Sequence, residues 1–180
     1  MNNSNPITFG LIAEGPTDQV VLENILIGYF DDLEGDKIIV KPIQPDKGET
    51  YGGWVLALDY LKSDKFEKSL AFNDYFVIQV DTDICNELDI KPISEKELDK
   101  METFTATIKS KIIEDYIGEN VYEQCAERLI FAISVHSIEC WLLPLYLNGK
   151  KKTKILSCLD VLQKELNRLN QKVNLKNKKG

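Results

Sequence analysis

Four short apolar runs divide the chain: residues 7–13, 37–43, 75–80 and 129–135. Each is brief, rich in Ile, Val, Phe or Leu, and bounded by polar or turn-forming residues, the pattern of a buried strand. Pro42 is expected to break the second run. Between the runs the spacing is helical. Val21, Leu22, Ile25, Leu26, Tyr29 and Phe30 predict one helix, opened by Gly15-Pro16-Thr17. Val55, Leu58 and Leu61 predict a second with those residues on one side, over 54–61. Leu98, Met101, Phe104, Ile108, Ile112 and Ile113 mark a mostly helical stretch after Pro92. A short helix from Ser137 should stop near Pro144, and 153–169 should form a last amphipathic helix containing Ile155, Leu156, Leu159, Leu162 and Leu166. No repeat is visible. Alternating strands and helices predict an α/β fold, Rossmann-like, with a mainly parallel sheet of about four strands and helices on both faces.

Two of these runs end on acids. The first runs into Glu14-Gly15-Pro16-Thr17-Asp18 and the third into Asp81-Thr82-Asp83. In open α/β sheets, ligands bind beyond the carboxyl ends of the strands. Acids clustered there would raise one another's pKa unless a cation offset the repulsion. Carboxylates suit a hard ion such as Mg²⁺ or Mn²⁺. The plainer alternatives stand beside this: Asp18 would serve a helix N-terminus equally well, and Asp81 and Asp83 would serve a turn. If the strand continued through Asp81 and Asp83, both would point to one side.

A glutamate-glycine after the first strand and an Asp-x-Asp after the third resemble the Toprim domain of topoisomerases, primases and OLD-family (overcoming lysogenisation defect) nucleases. With Asp18 four residues after Glu14, the string is most similar to the OLD type, over roughly residues 7–145. The resemblance implies Glu14, Asp81 and Asp83 as catalytic residues, Glu14 as a general acid/base or metal ligand, and Asp18 as a further ligand. It also implies phage defence as a setting and an ATPase partner protein. The segment Ile138-Glu139-Cys140-Trp141-Leu142-Leu143 resembles one in Toprim-like bacterial proteins, and Glu139 joins the metal candidates on that ground. No Gly-x-x-x-x-Gly-Lys-Ser/Thr occurs. Two other readings stay open. One is a Toprim module without turnover that binds an ATPase or nucleic acid. The other is a phosphatase using Asp81, similar to the haloacid-dehalogenase type, although that type carries its motif after the first strand.

Charge sharpens the substrate question. The chain of 180 residues has a net charge of −7. Residues 150–180 hold ten Lys or Arg against two acids, a net of +8, which leaves −15 for residues 1–149. The division predicts a catalytic domain over 1–149 and a basic helix and tail over 150–180, with Lys150, Lys151 and Lys152 gripping DNA or RNA phosphates. A solvated basic terminus is the plainer reading. Lys47, in the loop Lys47-Gly48-Glu49-Thr50-Tyr51-Gly52-Gly53, could bring an ammonium and backbone N–H groups to a phosphate.

The remaining features set the environment. No apolar run approaches the ~18 residues of a membrane span, and residues 1–5 lack the pattern of a signal peptide. Cys85, Cys125, Cys140 and Cys158 are scattered and read as reduced thiols in a cytoplasmic protein. Glu87 is a candidate outer ligand, and His136 is the only histidine. Trp54 and Trp141 read as core. A homo-oligomer is compatible with all of this.

Overall fold

The computed structural model describes residues 5–31, 38–49, 51–149 and 157–171. Strand β1 (Ile7–Ile12) lies between β2 (Ile38–Gln44) and β3 (Tyr75–Asp81), and β4 (Leu129–Ser134) lies beyond β3. The sheet is parallel, in the order β2-β1-β3-β4. The two inner strands are buried continuously from Phe9 to Ala13 on one and from Phe76 to Val80 on the other. That is why they read as unbroken apolar runs.

Pro42 does not end β2. It pairs with Leu11, and the register then slips so that Gln44 faces Ile12. An edge strand tolerates a missing N–H, and the irregularity absorbs it. The chain passes from β1 outward to β2, then back across β1 to β3. The order therefore reverses between β1 and β3. Right-handed crossovers in opposite directions put helices on opposite faces of such a sheet.

The chain divides into two compact units, residues 1–80 with 105–133, and residues 81–104 with 134–180. In the first, α1 (Pro16–Asp31) connects β1 to β2, while α2 (Trp54–Leu61) and α3 (Asp64–Ser69) connect β2 to β3. Helix α1 buries Gln19 and Leu22 but exposes Ile25 and Tyr29. Its apolar residues run round the whole cylinder, so spacing alone did not say which face turns inward. In α2 the core residues are Ala57, Leu58 and Leu61, while Val55 faces outward.

Helix α4 (Met101–Ile112), a π turn at Ile113–Ile117 and α5 (Glu119–Cys125) lead to β4. Just before that strand, Arg128 Nε donates to the Asp74 carbonyl at 2.9 Å, and its Nη2 donates to the Leu70 and Asn73 carbonyls. One guanidinium thus satisfies carbonyls between α3 and β3. Arg128→Met is expected to lower stability by about 2–3 kcal/mol, measured by urea unfolding, because charge-assisted bonds to partly buried acceptors are lost.

The second unit centres on Cys140, Leu143, Cys158, Leu162 and Leu166. These bind a 3₁₀ turn (Ile138–Leu142) and α6 (Leu143–Tyr146) to α7 (Cys158–Arg168). Pro144 sits in the first turn of α6, where its missing N–H costs nothing, so it starts a helix rather than stopping one. Ile155 and Leu156 lie outside the described residues.

The reading of four reduced thiols is corrected. Cys140 and Cys158 form a disulfide, their Cα atoms 5.1 Å apart, whereas Cys85 and Cys125 are free and buried. The packing of α7 brings the pair together, and no spacing in the sequence reveals that. Reduction, or Cys158→Ala, is expected to cost the second unit about 3 kcal/mol, the usual value for a loop of this size. Proteolysis of α7 with and without reductant would measure it. Among the described residues, no helix is long and apolar enough to cross a membrane.

Candidate functional site

In the first unit, the backbone around Glu14 is held on three sides. Its N–H donates to Gln79 Oε1 at 3.2 Å, its carbonyl accepts from the Gly53 N–H at 2.5 Å, and Ala13 N–H reaches the Gln44 carbonyl at 2.7 Å. Gln79 is fully buried in the middle of β3. It is the one polar residue in that apolar run, and a buried amide needs a partner. The Gln19 side chain adds a bond to the Pro45 carbonyl at 2.8 Å, tying α1 to the end of β2. Asp18 stands in the first turn of α1. Its Oδ2 would lie 3.1 Å from a Cβ added at Gly15.

In the loop after β2, three backbone amides are engaged locally. Glu49 N–H bonds to the Asp46 carbonyl, Asp46 N–H to Glu49 Oε2, and Lys47 N–H to Asp46 Oδ1. These amides close a turn on itself. What remains at Lys47 is an exposed ammonium-bearing side chain.

In the second unit, Asp81 is the last residue of β3 and half-buried, while Asp83 is exposed within a 3₁₀ turn (Thr82–Asn86). The strand therefore does not continue through both acids. Thr82 between them is 5% exposed. Its Oγ1 accepts from the His136 N–H at 2.8 Å, and its carbonyl accepts from Cys85 Sγ at 2.7 Å. Burial, followed by the charge of Asp83, pushes the Cys85 thiol up to about 11. At neutral pH it is no nucleophile.

His136 takes φ of 68°, a left-handed conformation uncommon for residues other than glycine. His136 Nε2 and Ser134 Oγ are enclosed without a hydrogen-bond partner. Glu139 follows in the Ile138–Leu142 turn and is only half-buried, so burial does not force a partner on it. Glu87 is exposed and Trp141 is 38% exposed, so Trp141 is not core.

No family model, curated protein or solved structure matches the chain. The chemistry must therefore be argued from the side chains present. Among the described residues, no three His, Cys, Asp or Glu side chains form a group able to hold a metal ion on their own. Magnesium does not require one, since it is usually held by one or two carboxylates together with waters and substrate phosphates. Hard oxygen donors such as Asp81 and Asp83 fit that chemistry. Lys150, Lys151 and Lys152 lie outside the described residues. The sequence gives no separate role to Gln79 or Thr82, and marks Gly52 only as part of a glycine-rich loop. Only Gln79 carried a signal, as a lone polar residue in a buried strand.

Proposed function

We propose that the chain is a Toprim-like, metal-dependent nuclease of OLD type that hydrolyses phosphodiester bonds of DNA or RNA. Strand order carries this reading. Strand β1, two residues before Glu14, and β3, which ends on Asp81, are parallel neighbours, and the sheet order reverses between them. Open α/β sheets bind ligands at that switch point. In this reading the acids available to Mg²⁺ or Mn²⁺ are Glu14 and Asp18 in the first unit and Asp81, Asp83 and Glu139 in the second, and Glu14, Asp81 and Asp83 are the catalytic residues. The ion, when bound, supplies charge stabilisation and an acidified water. The protein's part is to fix the donors before substrate arrives. The held backbone of Glu14 and the fixed Thr82 do that on their respective strand ends. Glu14 can also exchange a proton with the attacking or leaving oxygen.

Incubation with end-labelled DNA and RNA tests the reading directly. Cleavage that needs Mg²⁺ or Mn²⁺ and stops with a chelator supports it. Binding without cleavage would leave a non-catalytic Toprim module. Hydrolysis of a small phosphomonoester alone would favour a phosphatase using Asp81.

Phage defence, an ATPase partner and a homo-oligomer belong to the same analogy. A cytoplasmic setting accords with two buried free thiols, while the Cys140–Cys158 bond points to oxidising conditions. Alkylation of thiols in freshly lysed cells would decide between them.

The basic tail should supply most of the nucleic-acid affinity. Changing Lys150, Lys151 and Lys152 to Gln is expected to reduce the salt slope of duplex binding by up to about 0.9 per lost phosphate contact. Titration of fluorescent DNA at several salt concentrations measures this. An unchanged slope would make the tail a solvated terminus.

A further inference from the structure

We propose that Thr82 is a positioning residue for the acids of the second unit, acting through the backbone N–H of His136. The inference rests on the metal-dependent reading above and concerns what holds the ligand-bearing segments in place. Thr82 stands between Asp81 and Asp83, is 5% exposed, and has both its hydroxyl and its carbonyl engaged. The hydroxyl accepts from the N–H of His136, a residue held at φ of 68°. Such a conformation carries a strain cost and persists where its surroundings over-determine it. The same turn leads directly into Ile138–Leu142, which bears Glu139. One side-chain oxygen thus joins the Asp81–Asp83 segment to the Glu139 segment.

The bond uses the backbone of His136, not its ring. Ring and clip are therefore separable. Replacing His136 by glycine removes the imidazole and relieves the left-handed strain while keeping the N–H. Replacing Thr82 by valine keeps shape and removes the acceptor, and replacing it by serine keeps the acceptor. Loss of a hydrogen bond that orients metal ligands typically costs 10–100-fold in metal affinity.

The test uses the full chain and Mn²⁺ alone, followed by electron paramagnetic resonance, with amide hydrogen exchange at His136 read separately without metal. Thr82→Val is expected to weaken Mn²⁺ binding by about 10–100-fold. It should also speed His136 exchange by about tenfold, the equivalent of one ordinary hydrogen bond. Thr82→Ser and His136→Gly should keep Mn²⁺ binding within about threefold of wild type, a small part of the 10–100-fold loss. Wild-type binding of Mn²⁺ that Asp81→Asn removes but Thr82→Val leaves intact would overturn the positioning role and spare the metal reading. Wild-type protein that binds no Mn²⁺ would overturn both. Faster exchange at His136 in Thr82→Ser as well as in Thr82→Val would show that the hydroxyl is not the acceptor and would overturn the clip itself.

Discussion

Asp81→Asn is expected to abolish metal-dependent cleavage while leaving the fold intact. The substitution is isosteric and sits at the half-buried end of β3, so packing should not change. What changes is charge. A neutral amide is a poor ligand for a hard cation, and the loss should exceed the 10–100-fold that indirect changes to metal sites produce. Asp81 and Asp83 are two residues apart in the sequence, so removing one charge also lessens like-charge repulsion in the metal-free protein. Its melting temperature should therefore stay near that of the wild type. Single-turnover cleavage across a Mg²⁺ titration, with circular dichroism melts alongside, separates the two effects. A variant that cleaves at the wild-type rate at low Mg²⁺ would remove Asp81 from the ligand set. A variant that loses activity together with several degrees of melting temperature would make Asp81 structural.

The parts of the fold that were legible are those in which burial is uniform. The runs at 7–13, 75–80 and 129–135 became β1, β3 and β4 within about a residue because buried parallel strands need apolar side chains on both faces. Helix α1 was legible as a helix but not in orientation, since Val20, Ile25, Ile27 and Tyr29 are exposed on a cylinder that is apolar all round. Pro144 misled because proline ends one helix and begins another with equal ease, and only the preceding 3₁₀ turn decides which. The acids at the ends of β1 and β3 were legible because a charged residue closing an apolar run stands out. Their supports were not. Thr82 is an ordinary polar residue until His136 is found 2.8 Å away across 54 positions of sequence. The Cys140–Cys158 bond likewise depends on how α7 packs, which no local pattern encodes.

Gly52→Ala is expected to be the most damaging single methyl group in the first unit. A Cβ there would stand 2.0 Å from the Glu14 carbonyl oxygen, 3.0 Å from its carbon and 3.2 Å from the Gly15 Cα. All three are backbone atoms, so no side chain can swing aside. Either the loop leaves Glu14, losing the 2.5 Å bond from Gly53 N–H, or the end of β1 moves. Overpacking costs about 1–3 kcal/mol, and the lost bond adds about 1 kcal/mol. Together these should lower the melting temperature by roughly 5–15 °C for a chain of this size. Gly28→Ala is the matched control. It lies in α1 with nothing within 4 Å of the added carbon, and should be neutral or stabilising by up to about 1 kcal/mol. Because Gly52 packs on the backbone of Glu14 itself, cleavage should fall in the first variant even below its melting point and stay unchanged in the second. If Gly52→Ala melts within a degree or two of wild type, the loop does not rest on Glu14, and the held backbone that the proposed chemistry relies on is not there.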